Sequence, residues 1–132
     1  LIGFKAMADQ EKDQEARRLE AYIEDWHWDE PSPQFARDIG VYLFRFMDYL
    51  HKLGLAERTV RKHTWNVWFI GILECQYGYR NEFSAAESFG SPWASHEYEF
   101  RRKSTDSKYA LESYRATWRK LHEYTRALGL ID

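Results

Sequence analysis

The stretch G-L-A-E-R-T-V-R-K-H, Gly54 to His63, joins a helix stop to a helix start within ten residues, and its reading decides the fold. Upstream of it, Phe35, Ile39, Tyr42, Leu43, Phe46, Leu50 and Leu53 recur at the three- and four-residue spacing of an amphipathic helix. Gly54 closes that helix, because the left-handed conformation that ends many helices costs glycine nothing. Downstream, the pattern predicts a second helix over about 56–77, apolar all round in its middle. On it Val60, Thr64, Val67, Gly71 and Cys75 share one face, while Trp65, Phe69, Ile72 and Leu73 share the other. Such a helix is central and buried along Val67 to Leu73, and Glu74 and Gln76 predict that its C-terminal end returns to water. Its first turns are polar, with Arg58, Arg61 and Lys62 on one side, so its tip emerges at the surface. There the unpaired N–H groups and the helix dipole favour a phosphate.

The same reasoning extends outward. Ala16, Leu19, Ile23 and Trp26 predict a first helix over about 9–27 that ends before Pro31-Ser32-Pro33, where Ser32 can cap the next helix and Pro33 suits its first turn. Gly78 is expected to end the central helix, and Ser84 with Glu87 has the spacing of a capping box. A further helix is expected from Ser91-Pro92 to about 102, and a last one capped by Asp106 and stopped by Gly129. No segment alternates long enough to predict a strand, and no repeat is evident. The expected fold is all-α, a compact bundle of four to five helices. Its expected organisation is an acidic N-terminal helix and linker over 1–34, followed by a helical domain over 35–132.

Composition narrows the classes. A chain of 132 residues supports one core of its own. Cys75 is the single cysteine, which excludes an internal disulfide and a cysteine-based zinc cluster and makes it core filler. No apolar run approaches the ~20 residues of a membrane span and no signal-peptide pattern opens the chain, so a soluble, cytoplasmic protein is expected. The chain starts Leu-Ile-Gly-Phe-Lys-Ala before Met7, a start that reads as either an extension or a trimmed N-terminus. The net charge of −2 hides a division: residues 1–34 carry nine acids against four Lys or Arg, and residues 35–132 carry fifteen Lys or Arg against twelve acids. An acidic N-terminal segment thus masks a mildly basic remainder.

The second cationic feature lies on the last helix. Lys108, Arg115, Arg119 and Arg126 fall within about 40° of one another on a helical wheel, opposite an apolar face of Tyr114, Trp118, Leu121, Thr125 and Leu128. As a solvated face, this stripe would be laced by the local pairs Glu112 with Arg115, Arg119 with Glu123 and Glu123 with Arg126, each worth ~0.2–0.5 kcal/mol. A third basic group, Arg101, Arg102 and Lys103, sits beside Trp93, Tyr98 and Phe100 and reads as either a phosphate contact or a solvated helix end.

Gly54 to His63 resembles the start of a helix in the N-terminal core-binding (SAM-like) domain of tyrosine recombinases and phage integrases, where G-L-[SA]-x-x-T recurs. The closing S-Y-R-A-T-W-R-K-L-H-E-Y-T-R-A-L-G-L-I-D is similar to that domain's final helix, so the resemblance covers roughly 35–132. It implies a domain that grips double-stranded DNA beside a crossover site while a second, C-terminal domain cleaves the strand. By position it assigns DNA contact to Arg58, Thr59, Lys62 and His63. Arg61 joins them from the same side of the helix, and Lys108, Arg115 and Arg119 from the basic stripe. The implied partners are duplex DNA and other recombinase protomers, with no cofactor, metal, membrane or small-molecule substrate. The acidic first helix should then face away from DNA or serve as a protein contact.

Catalysis is not expected of this chain. The recombinase reaction needs a His-x-x-Arg element, and none of His27, His51, His63, His96 and His122 precedes an arginine by three. There is no His-x-x-x-His pair, glycine-rich phosphate loop or Gly-x-Ser-x-Gly elbow. The acidic pairs Glu24-Asp25 and Asp29-Glu30 read as solvating charge. Among the six tryptophans, Trp68 and Trp118 read as core, while Trp28 suits a partner surface and Trp26 or Trp28 with Trp65 or Trp93 would be needed for a ligand cage. The rival function is a stand-alone helical interaction module that docks a protein through its acidic helix.

Overall fold

The computed structural model describes residues 14, 17–21, 24, 33–78, 82–105 and 107–132. It is an all-α bundle with five bounded helices: α1 (Pro33–Lys52), α2 (Glu57–Tyr77), α3 (Ala85–Phe89), α4 (Glu97–Lys103) and α5 (Lys108–Ala127). α1 packs on α2 across the short turn at 53–56, and α5 packs on α1, α2, α3 and α4. Residues 14, 17–21 and 24 are helical too, and Leu19 packs on the core. Ala16, Ile23, Trp26, Trp28 and Ser32 lie outside the described residues. The expected boundary at 34/35 falls inside the first turn of α1.

The apolar stripes close the core as their periodicity requires. Phe35, Ile39, Leu43, Phe46 and Leu50 of α1 are fully buried, as are Tyr114, Trp118, Leu121 and Thr125 of α5. Each large apolar side chain so buried contributes about 2 kcal/mol before entropy is counted. Aromatic rings fill the joints: Tyr42 stacks on Phe89 at 5.6 Å, and Phe100 stacks on Tyr114 at 4.1 Å. Trp118 is core as expected, and Trp68 is half-buried against it. Cys75 is a free, half-buried thiol whose pKa burial pushes up to about 12.

The helix ends follow local chemistry, with instructive departures. Gly54 and Gly129 both adopt φ of +75°, and Leu130 N–H reaches back to the Thr125 carbonyl at 3.3 Å, the closure that a left-handed glycine permits. Leu53 and Leu128, expected on the apolar stripes, lie just beyond the helices and are exposed, because the chain is already reversing there. Ser84 caps α3 by accepting from Glu87 N–H at 3.3 Å. Ser107, not Asp106, caps α5, its hydroxyl accepting from Ala110 N–H at 3.3 Å.

Two expectations are overturned at the C-terminal end of α2. Glu74 does not reach water: it is only 3% exposed, accepting from the Ser88 hydroxyl at 3.1 Å and pairing with His96 Nε2 at 2.9 Å. The helix expected from Ser91-Pro92 starts only at Glu97. Trp93 N–H turns onto the Ser91 hydroxyl at 3.2 Å, and His96, held by Glu74, takes a left-handed φ of 62° before α4 begins. Gly78 does end α2, but with φ of −106° it is not there for a left-handed turn. A Cβ at that position would lie 2.6 Å from the Glu74 carboxylate, so glycine leaves room for the buried acid.

Candidate nucleic-acid interface

The N-terminal half of α2 presents two chemically distinct sides. Arg58, Lys62, Trp65 and Phe69 follow one another at three- and four-residue steps, and Arg61 lies three residues from Arg58 and four from Trp65, so they share one side. Arg58 and Arg61 are exposed and Lys62 is partly exposed. At the tip, Ala56 precedes α2 without a side-chain cap, so the first N–H groups of this helix take no side-chain acceptor there.

The other side turns inward, and this relocates one expected contact residue. His63 is 6% exposed and lies against α5, with Nδ1 2.7 Å from the Thr117 hydroxyl. Thr117 in turn donates to the Ser113 carbonyl at 3.2 Å and accepts from Asn66 Nδ2 at 2.9 Å. Burial, with Lys120 nearby, lowers the His63 pKa. His63 therefore joins two helices and is not available to DNA. Thr59, next to it on the wheel, is half-buried.

α5 completes the outer side. The Lys62 ammonium hydrogen-bonds the Tyr109 hydroxyl at the edge of the ring. This contact joins the α2 tip to the first turn of α5, next to the exposed Lys108. Between the helices, and closed at one end by α4, lies a groove of about 580 Å³. Trp65 and Tyr109 form its open aromatic walls, Phe69 and Phe100 its floor, and Arg61, Lys62 and Lys103 its rim. Among the described residues no acid lines it.

The rest of the basic stripe divides. Arg115 is engaged by Glu97 of α4 through two hydrogen bonds, 2.7 and 3.1 Å, and this pairing raises its pKa. Its partner is thus not the expected Glu112 on its own helix. Glu123 approaches Lys120 at 3.9 Å rather than Arg119 or Arg126. Arg119 and Arg126 are exposed, and among the described residues neither lies within ion-pair distance of an acid. Of the third basic group, Lys103 reaches the groove, while Arg102 lies over the exposed Tyr98 ring at 5.6 Å.

Of the acidic N-terminal segment, one described carboxylate is turned onto α1. Glu20 forms a two-pronged pair with Arg37 of α1, at 2.8 and 3.3 Å, and α1 contributes nothing to the groove. The pairing lowers the Glu20 pKa and raises that of Arg37.

Sequence reasoning missed Trp65 and Tyr109. For Trp65 the signal was present, since it lies one turn beyond Arg61 and Lys62 on the same side; Tyr109 had no such signal. Among the described residues no cluster of His, Cys, Asp and Glu is placed to hold a metal ion, and no helix is long and apolar enough to cross a membrane. Compared with models of known families, with curated proteins and with solved structures, the chain matches none of them.

Proposed function

We propose that this chain binds double-stranded DNA through the tip of α2 and the first turn of α5, as a core-binding domain of a tyrosine recombinase or phage integrase does. Strand cleavage would belong to a catalytic domain outside this sequence. The observation that carries the reading is the set of cations gathered where α2, α4 and α5 meet, Arg61, Lys62 and Lys103 around a groove that no acid lines among the described residues, with Arg58 and Lys108 beside it. Cations so placed neutralise phosphates and release counterions, which makes affinity fall steeply with salt. The uncapped N–H groups of α2 add a further phosphate acceptor site. Arg115 contributes little, since Glu97 already holds it. Glu20 does not oppose binding, because it is paired with Arg37 of α1.

The test is duplex DNA binding measured across a salt series. Wild type should show log affinity falling with log salt at a slope set by about four phosphates, and Arg58→Gln with Arg61→Gln and Lys108→Gln should lower that slope by about 3. If wild type binds no duplex at low salt, or if the triple variant binds as well as wild type, the DNA reading fails. The acidic-helix interaction module would then be the better account.

A further inference from the structure

We propose that the groove between α2, α4 and α5 takes an unpaired base of a DNA strand, whose neighbouring phosphates sit on the rim cations. The inference rests on the DNA-binding reading and sharpens it: the preferred ligand has a single-stranded segment beside, or in place of, the duplex.

The walls carry the argument. Trp65 is 61% exposed and Tyr109 63% exposed, a large uncovered aromatic area for side chains that usually bury most of their surface. Trp65 is nevertheless braced. Its ring meets the edge of Phe69 at 5.3 Å, and Phe69 is fixed by Trp68 at 5.1 Å and by Phe100 at 5.4 Å. An indole propped from behind and open in front is a stacking platform. On the other wall Lys62 holds Tyr109 by its hydroxyl.

Size and charge choose the occupant. About 580 Å³ lies within the range of about 300–1,000 Å³ that accepts small planar ligands and is far too small for a duplex. In a duplex the faces of each base are covered by its neighbours, so only an unpaired base can offer a face to Trp65. Arg61, Lys62 and Lys103 on the rim, with no acid among the described lining residues, call for an anion attached to that flat group. A base with its flanking phosphates supplies both, and aromatic platforms beside cationic grooves are the general means of holding single strands.

The experiment compares a short labelled oligo-dT strand with a mixed-sequence duplex of the same length, by fluorescence anisotropy on the full chain at low salt. Wild type should bind the single strand, and Trp65→Ala should weaken that binding by about tenfold while changing duplex affinity by less than about twofold. Trp65→Phe, which keeps a ring, should recover most of the loss. Because Trp65 is exposed, far-ultraviolet circular dichroism should show these variants folded. Duplex binding without single-strand binding overturns the inference and leaves the DNA reading standing, as does an equal loss on both ligands in Trp65→Ala. Binding of neither ligand by wild type overturns both.

Discussion

The two ends of α2 handle polar chemistry in opposite ways. At the C-terminal end a single carboxylate, Glu74, is drawn out of water and satisfied by Ser88 of α3 and by His96, which precedes α4. At the N-terminal end Arg58, Arg61 and Lys62 stay at the surface beside an uncovered Trp65. Donors at the first end are consumed by the fold, whereas cations at the second are left to meet something else. The contrast separates polar residues that build the protein from those that can serve a partner. It predicts that changes at the closed end move stability, and that changes at the open end move binding.

The largest effect is expected at Glu74. Glu74→Ala removes the carboxylate that accepts from the Ser88 hydroxyl and pairs with His96, and so releases the anchor of the left-handed His96. A loss of about 3 kcal/mol should be read from urea unfolding. A loss below about 1 kcal/mol would mean that the closed end is not held as described. Next comes the polar joint midway along the helix. Thr117→Val keeps the shape but removes the group shared by His63, Asn66 and the Ser113 carbonyl, and should cost about 2 kcal/mol. Single-strand and duplex affinities of the folded variant should stay close to those of wild type, since neither His63 nor Thr117 faces the groove.

What could be read in advance follows from how far apart the partners are. Gly54, the bounds of α2 and the stripes of α1 and α5 are local patterns, set by one helical period and by capping chemistry. Glu74 misled because its partners come 14 and 22 residues later, and a carboxylate near a helix end reads as solvated until α3 and α4 fold over it. Arg115 belonged to the basic stripe by spacing alone, and only the packing of α4 on α5 brings Glu97 to it from 18 residues away. His63 sits a third of a turn from the cationic side of α2, but its burial depends on Thr117, 54 residues on. The cations of the interface were legible as a spacing. The groove was not, because its second wall is Tyr109, which only the α2–α5 crossing sets opposite Trp65.

A smaller effect, and one with a definite sign, is expected from pH. The folded His63 has a lowered pKa, whereas the unfolded imidazole titrates near about 6.5. Below that value the unfolded chain binds a proton that the folded chain resists, so unfolding gains protons and stability falls with pH. The loss begins near pH ~6.5 and continues down to the depressed folded value. Urea midpoints of wild type and His63→Asn, compared above and below this threshold, should differ in slope, because the variant loses the His63 share of the decline. Parallel declines would place His63 in water and return it to the candidate contacts.

The smallest effect is expected where the comparison is most exposed to refutation, at the rim of the groove. Arg61 and Lys103 lie on different helices around one opening, with no acid among the described residues that line it. Their charges repel one another weakly through water, and among the described residues neither is within ion-pair distance of an acid. Replacing both by glutamine should leave stability within about 0.5 kcal/mol of wild type, with any shift toward greater stability. That shift should vanish on adding salt, because screening removes the repulsion that the substitutions relieve. Loss of more than about 1 kcal/mol, independent of salt, would mean that these cations are bound into the fold as Glu74 is. The two ends of α2 would then differ only in exposure, and the groove would lose its claim to a ligand.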